Sequence, residues 1–415
     1  MNLGASIRIF VLCAFGASLD LSISATQIGA ALLLIDWAWR AASKEKSGVW
    51  KAADLDFPIV LFFLWTGFTG IFRHSITMLD FLRNQSAFLL FFWAAQALDD
   101  KSTRRLLRWL CIGAALAGAL GILQALFKIN YLPDQRTYVV PAFFKNWPEC
   151  IVHKLSLNNE RAQGPRTHPL TYAESFIPGF FLLLGGLARE IRSARPSFLK
   201  MVSIGFGLAL VVGGILLAQG RAVWLGLGLG LLVFACAVGR RFFFITVLLF
   251  GFALAVVAAV SPRIRGRFLS VASSSGGITA DQQSKAVRFT LWRQAVEGIL
   301  SHPVVGVGLE GARLTSIDPI SHEQRVWTET HNLFLQFALE LGLIGLGIFA
   351  WILVIIGRMV YRAAPDWRPA FAGMFVAFLV AGLTESWPKD KSVAMLFWLL
   401  IGNLAFLNQN RNEKI

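Results

Sequence analysis

Charge is scarce in this chain. Asp, Glu, Lys and Arg make up 15% of the 415 residues, and hydrophobic types make up 56%. Repeated windows nearly free of charge, at 7–19, 23–39, 57–72, 107–127, 201–218, 242–260 and 333–356, exclude an ordinary soluble protein. Cysteine is scarce too. Of the four, Cys13, Cys111 and Cys236 fall in apolar windows and Cys150 has no evident mate, which excludes a disulfide framework. No small-residue cleavage site follows the apolar run after Arg8, so this run reads as a retained span rather than a removed signal.

Metal-ligand spacing is also lacking. Asp54-Leu55-Asp56 is the one Asp-x-Asp, beside Lys51, and Asp99-Asp100 reads as a solvated pair. The acids Glu149, Glu160, Asp281, Glu297, Glu310, Asp318, Glu323 and Glu329 show no tight ligand spacing, and His153 and His168 read as surface histidines. Gly226-Leu-Gly-Leu-Gly lies inside an apolar window without a strand–turn–helix context. It reads as a helix-packing surface rather than a phosphate loop. No metal and no cofactor is expected. The formal charge of +15 is dispersed between apolar runs, which argues against nucleic acid and for anionic headgroups or phosphate-bearing lipids.

What is present has a direction. Spans at 7–19, 23–39, 57–72, 76–98, 107–127, 170–188, 201–218, 223–239, 242–260, 333–356, 370–387 and 393–408 place both termini in the cytoplasm. The short inner loops and termini then hold about half of the 39 lysines and arginines. The fourth window is the least regular, because Asp80 and Arg83 interrupt it, and a re-entrant or surface-lying start serves equally well. The expected fold is an all-α polytopic membrane protein with about twelve transmembrane helices. It is expected to form a single transmembrane domain over 1–415, with two long outer segments at 128–169 and 261–331 that contain short and amphipathic helices.

Long outer segments escape the charge rule, so their arginines need another explanation. Pro133, Pro141, Pro148 and Pro165 divide the first into a flap with short helical pieces. In the second, Arg263, Arg265 and Arg267 precede the flexible run Ser273-Ser-Ser-Gly-Gly. Asp281–Leu300 then reads as an amphipathic helix with Ala286, Phe289, Val296 and Ile299 on its apolar face, ended by His302-Pro303. Gly306, Gly308 and Gly311 loosen the backbone before Glu329-Thr-His-Asn.

His331 stands at the mouth of a span. An imidazole with an ordinary pKa of about 6.5 can take a proton from a sugar hydroxyl near neutrality. The plain alternative is a helix cap or a loop hydrogen bond. Arg265, Arg288 and Arg221 are candidate phosphate partners, because a guanidinium fork matches phosphate oxygens and stays charged. Fixed cations would stabilise a departing pyrophosphate most as its charge develops; their plain alternative is snorkelling to headgroups. Arg288 and Trp292 are four apart and share a helix side. Arg221 occupies the turn Gln219-Gly220-Arg221. Arg161 and Arg166 flank Gln163-Gly164-Pro165 and could close the site from the opposite side, with Gly164 permitting close backbone approach. Asn332, next to His331, completes the binding candidates.

With these residues in view, the chain resembles the bacterial O-antigen ligases and the related O-antigen polymerases. The densest match runs from Gln219 to Gly345, through Gln219-Gly-Arg-Ala-Val-Trp-Leu, Arg288-Phe-Thr-Leu-Trp-Arg-Gln-Ala and His302-Pro-Val-Val-Gly-Val-Gly-Leu. Its strongest piece is Thr330-His-Asn-Leu-Phe-Leu-Gln-Phe-Ala-Leu-Glu-Leu-Gly-Leu-Ile-Gly, and Arg161-Ala-Gln-Gly-Pro-Arg-Thr-His-Pro is similar to the family's arginine–glycine stretch. The resemblance implies a GT-C-like architecture and transfer of a glycan from undecaprenyl pyrophosphate without a metal. It also implies an essential histidine at His331 and phosphate-contacting arginines at Arg221, Arg265 and Arg288. Gly220 departs from the serine that commonly precedes the arginine here at 221.

The expected protein is therefore a metal-independent glycosyltransferase of the bacterial cell inner membrane with a periplasmic active site. It would act in lipopolysaccharide biosynthesis. Its expected partners are an undecaprenyl-pyrophosphate-linked O-antigen donor, a lipid A-core acceptor and membrane lipids, with no nucleic acid and a monomer allowed. An O-antigen polymerase and a protein-glycosylating relative stay open as rivals. A transporter of anionic lipid or sugar is a rival of another class, which would call for an internal repeat or charges near span centres.

Overall fold

The computed structural model describes residues 5–42, 53–132, 137–139, 148–158, 161–166, 168–244, 248, 280–317 and 324–412. Helices dominate: α1 (Ala5–Leu21), α2 (Ile23–Ala42), α3 (Asp56–Phe72), α4 (Met78–Gln85), α5 (Leu89–Ala97), α6 (Asp100–Phe127), α7 (Glu149–Leu155) and α8 (Pro169–Ile191). They continue as α9 (Phe198–Ala218), α10 (Arg221–Val238), α11 (Ala280–Ser301), α12 (Leu333–Arg362), α13 (Arg368–Gly382) and α14 (Lys391–Asn412). Six of them, α6, α8, α9, α10, α12 and α14, are long and apolar enough to cross a membrane, and α3 and α13 are shorter apolar helices. The bulk of the chain is thus an all-α, multi-pass membrane protein. The expectation of about twelve spans is corrected to six candidate spans among the described residues.

The differences have local causes. Window 76–98 is not one helix. The Thr77 hydroxyl accepts the Asp80 N–H at 3.2 Å, capping the short α4, and a 3-10 turn at Ser86–Phe88 separates it from α5. The window 370–387 ends early at Gly382, because Glu385, Ser386 and the proline of Trp387–Lys389 leave the helix. Nearly all of window 242–260 lies outside the described residues. Segments 128–169 and 261–331 also hold small strands that the proline pattern concealed. β1 (Asn130–Leu132) pairs antiparallel with β2 (Thr137–Val139) and parallel with β3 (Leu157–Asn158), while β4 (Leu314–Ile317) and β5 (Gln324–Trp327) form an antiparallel pair.

Close packing explains the glycine-rich run of α10. A methyl at Gly226 would come within 2.7 Å of the Ala377 carbonyl oxygen on α13, and one at Gly230 would meet the Gly373 carbonyl. The run is a helix-packing surface, as its sequence context suggests. Phe181 and Phe234 fill the space beside it, and both are fully buried.

Contacts sort the helix ends into two groups. At one end Arg362 approaches Asp54, Arg411 donates to the Arg362 carbonyl, and Arg189 lies over the Trp367 ring. This end gathers the short basic loops. At the other, the start of α8 meets the start of α14 through Thr171 and Asp390, 2.9 Å apart, and Asn332 reaches the end of α13 at Leu383. The candidate residues collect at this second end.

α12 is broken. Gly342 has φ 70° and ψ −178°, so Leu333–Leu341 and Leu343–Arg362 are two helices in different directions. The loop after α11 and Trp65 of α3 bind the carbonyls freed by the break. Val307 N–H donates to Leu339, Gly308 N–H to Glu340, and Trp65 Nε1 to Leu341, each at 2.9 Å. A break of this kind is tolerated in a membrane protein where neighbouring groups satisfy the backbone. It leaves Leu333–Leu341 as a short helix that carries His331 and Asn332 at its start.

Candidate active site

His331 projects from a strained backbone, with φ 52°, a region that L-residues enter rarely. Its neighbours fix it there. Thr330 is fully buried; its N–H donates to Gln336 Oε1 at 2.7 Å and its carbonyl accepts from Trp292 Nε1 at 2.9 Å. Asn332 caps α12, its Oδ1 accepting the N–H groups of Phe334 and Leu335 at 3.0 Å, and its Nδ2 donates to the Leu383 carbonyl at 2.9 Å. The cap is therefore Asn332, and the imidazole of His331 is left for other work. Trp292 and Asn332, expected as substrate contacts, here hold the histidine's backbone in place.

The imidazole Nδ1 lies 3.4 Å from Glu385 Oε2, and Arg288 Nη2 donates to Glu385 Oε1 at 2.7 Å. One buried carboxylate thus joins a residue of α11 to the start of α12. Burial alone would raise the Glu385 pKa, but His331 and Arg288 outweigh it and hold the carboxyl below the usual glutamate range. Trp327 of β5 covers the ring of His331 edge-on at 5.8 Å.

Glu385 is the residue that sequence reading missed. It falls within the expected span 370–387, although Thr384-Glu-Ser-Trp-Pro interrupts two apolar runs and signals a loop with an acid at a helix end. His168, expected as a surface histidine, is exposed. It caps α8 through Nδ1, which accepts the Leu170 N–H at 3.3 Å. Surrounding protein and the nearby Arg161 hold its pKa below the ordinary histidine value, with His331 acting in the same direction and Glu385 and Asp390 opposing.

Arg161 and Arg221 are drawn together. Arg161 Nε donates to the Ala218 carbonyl at 2.9 Å, where α9 ends, and Arg221 opens α10 three residues later. Arg166 lies deeper than expected. It is 4% exposed and donates through Nη2 to the Leu19 carbonyl, and burial lowers its pKa despite Asp20 and Asp390. Gly164, with φ 56°, makes its close approach to the Tyr172 ring rather than to an open surface. The amide of the buried Gln124 holds this turn, accepting from the Gly164 N–H and donating to its carbonyl, both at 2.9 Å. Arg265 lies outside the described residues.

The helix of Arg288 is present as expected, but its buried face is different. Leu291 and Ala295 are buried with Val287 and Ile299 against them, whereas Phe289 and Val296 are exposed. Among the described residues, no group of three or more His, Cys, Asp or Glu side chains is placed to hold a metal ion. The arrangement joins a histidine and one guanidinium, that of Arg288, through a single buried carboxylate at one end of a helical membrane bundle.

Residues 206–350 match the family model described as O-Antigen ligase, so the chain carries an O-antigen ligase family domain over this part of its length. The match spans Arg221, Arg288, Trp292, His331 and Asn332, and it stops short of Glu385. No curated protein matches the chain.

Proposed function

We propose that this protein is an inner-membrane glycosyltransferase. It would move a glycan from undecaprenyl pyrophosphate to a hydroxyl of the lipid A-core oligosaccharide at the periplasmic face, without a metal. The bridge from Arg288 through Glu385 to His331 carries the reading. A carboxylate on Nδ1 favours the tautomer with its proton there, which leaves Nε2 as a base. That nitrogen takes the proton of the acceptor hydroxyl while the hydroxyl oxygen bonds to the anomeric carbon. The bond from that carbon to the phosphate oxygen breaks, and its electron pair leaves with the pyrophosphate. Direct displacement of this kind inverts the anomeric configuration.

Arg288 keeps further donors beyond the one bonded to Glu385, and the guanidinium groups of Arg221 and Arg161 stand at the same end of the bundle. With Arg265, these are the pyrophosphate contacts of the proposal. Arg166 would support the turn that carries Arg161. The short basic loops at the opposite end support a cytoplasmic location for that end and for both termini.

The test supplies the purified chain with lipid-linked glycan and, separately, core glycolipid, a second lipid-linked glycan or a pilin-like protein. Product on core glycolipid is the expected outcome. Product on the second donor would instead make the protein a polymerase, and no product with any acceptor would end the transferase reading.

A further inference from the structure

A second histidine stands at the candidate site, and the proposed displacement does not use it. His168 ends the stretch that carries Arg161 and Arg166, and it immediately precedes α8. Shortly after it, Thr171 donates its hydroxyl to Asp390 Oδ2 at 2.9 Å, which fastens the start of α8 to the loop that carries Glu385 and leads into α14. His168 is exposed, and Arg161, Glu385, His331 and Asp390 all act on its imidazole electrostatically. It therefore shares one end of the bundle with His331.

The backbone decides which nitrogen of His168 is open. Nδ1 accepts the Leu170 N–H at 3.3 Å and caps α8, so the neutral ring holds its proton on Nε2. Partial desolvation and Arg161 favour that neutral ring. Among the described residues, none accepts a hydrogen bond from Nε2. His331 is arranged the opposite way: its Nδ1 lies against Glu385, which leaves Nε2 as an acceptor. The two nearby carboxylates are already engaged. Glu385 holds Arg288 and His331, and Asp390 accepts from the Thr171 hydroxyl and the Ser392 and Val393 N–H groups. The two rings thus offer one acceptor and one neutral donor, and no hydrogen bond joins them.

We propose that His168 donates from Nε2 to a phosphate oxygen of the diphosphate leaving group, beside Arg161, while His331 serves the acceptor hydroxyl. The catalytic part of this rests on the transferase reading; the contact with the diphosphate does not. A displacement needs a base on one side of the anomeric carbon and relief of the growing charge on the other. A donor already oriented by its own helix supplies the second without reorganisation. The electron pair of the broken carbon–oxygen bond stays on the phosphate oxygen, and the acceptor's proton passes to His331. His168 keeps its proton and contributes a hydrogen bond that strengthens as that oxygen becomes charged. A sugar hydroxyl could also accept from Nε2, but it gains no charge in the reaction, and the neighbouring guanidinium selects an anion.

Two substitutions separate the cap from the donor. His168→Asn puts an amide oxygen where Nδ1 stands and keeps the cap, but its side chain stops short of the Nε2 position. His168→Gln carries an amide N–H out toward that position and gives up the cap. The full-length chain in nanodiscs is titrated below its melting temperature with undecaprenyl pyrophosphate, which bears no glycan, and with undecaprenol as the control. Transfer and melting are measured in parallel. His168→Asn should melt with the wild type yet bind undecaprenyl pyrophosphate about tenfold or more weakly, the effect of one lost hydrogen bond to a charged group. Its kcat should fall while acceptor KM is retained. His168→Gln should melt lower and lose less of both binding and transfer. Undecaprenol affinity should be the same in all three. If His168→Asn binds and transfers as the wild type does, or if His168→Gln loses as much as His168→Asn, the residue is a cap alone and the proposal fails. If binding of undecaprenyl pyrophosphate depends on His168 but no acceptor receives glycan, the transferase reading fails and the contact with the diphosphate stands.

Discussion

Arg288 Nη2 donates to Glu385 Oε1 at 2.7 Å although the two residues stand 97 positions apart. The guanidinium is on α11 and the carboxylate follows α13, so the contact ties the 261–331 segment to the helical bundle. Arg288→Lys keeps the charge but loses the planar fork. A loss of about 10²-fold in kcat/KM is expected, the scale of one preorganised donor at a developing charge. Glu385→Gln should cost a similar factor. The double variant should cost less than the product of the two, because both act through one network. Steady-state transfer with a lipid-linked donor measures all three, and independent effects would refute the network.

His331, the proposed base, stands on a strained backbone. Its φ of 52° costs about 1–3 kcal/mol for a residue with a β-carbon. His331→Ala retains that strain, and His331→Gly relieves it. Both variants should lose transfer by about 10²- to 10⁴-fold, the range for a positioned base. The glycine variant should nevertheless melt at the higher temperature of the two. A glycine variant that melts lower would mean the ring itself holds the loop.

The acid side of the pH profile has a defined sign. Glu385 has its pKa depressed by His331 and Arg288 against the effect of burial. Its contribution to stability is fully present above the ordinary glutamate value of about 4.3 and is lost as pH falls through the lower folded value. His168 behaves alike for another reason, since partial desolvation and Arg161 favour its neutral form. The stability it contributes is present above about 6.5 and lost as pH falls through its depressed value. Thermal melts at successive pH values should show the lower loss disappear in Glu385→Gln and the upper one in His168→Gln. Unchanged profiles would remove these residues as the source.

Arg166 should separate from Arg161 in its effects. It is buried against the Leu19 carbonyl, so Arg166→Ala leaves an unpaired acceptor and a void, and a stability loss of about 2–4 kcal/mol is expected. Arg161 is half-buried at the α9–α10 turn beside the site. Arg161→Gln should raise donor KM with little change in melting temperature. The reverse pattern in paired melting and kinetic measurements would exchange their roles.

Much of this site was legible in the residues themselves. His331 and Arg221 announce themselves because they stand at the mouths of apolar runs, and Arg288 because it is a cation within the amphipathic α11. α11 was legible from its periodicity, yet its apolar face was not. Phe289 and Val296 fit a helical repeat, but β4 packs on the face carrying Leu291 and Ala295, and no periodicity reveals a partner strand. Glu385 was hidden by hydropathy, because one acid near an apolar run barely changes a window average. Its meaning comes from Arg288 and His331, both distant in sequence. The same applies to Gly164, whose ring neighbour Tyr172 can be identified only in three dimensions.

The break in α12 links stability to the site, and two glycines of the same helix test it. Gly342 has φ 70°, and an added methyl would run into the Val304 carbonyl; at Gly347 nothing lies within 4 Å. Gly347→Ala should therefore be neutral or stabilise by up to about 1 kcal/mol, the helix-propensity gain. Gly342→Ala should destabilise by about 1–3 kcal/mol through backbone strain alone, with a further loss as the 303–308 loop is displaced. That loop is bonded to Leu339, Glu340 and Leu343, and the helix it supports begins at Asn332. Moving it would shift His331 away from Glu385, and a displacement near 1 Å in a catalytic group is enough to cost about 10²-fold. Gly342→Ala should thus lose transfer even at temperatures where it remains folded, whereas Gly347→Ala should not. Melting curves paired with transfer rates decide the matter, and a fully active Gly342→Ala would show that the bend does not position the histidine.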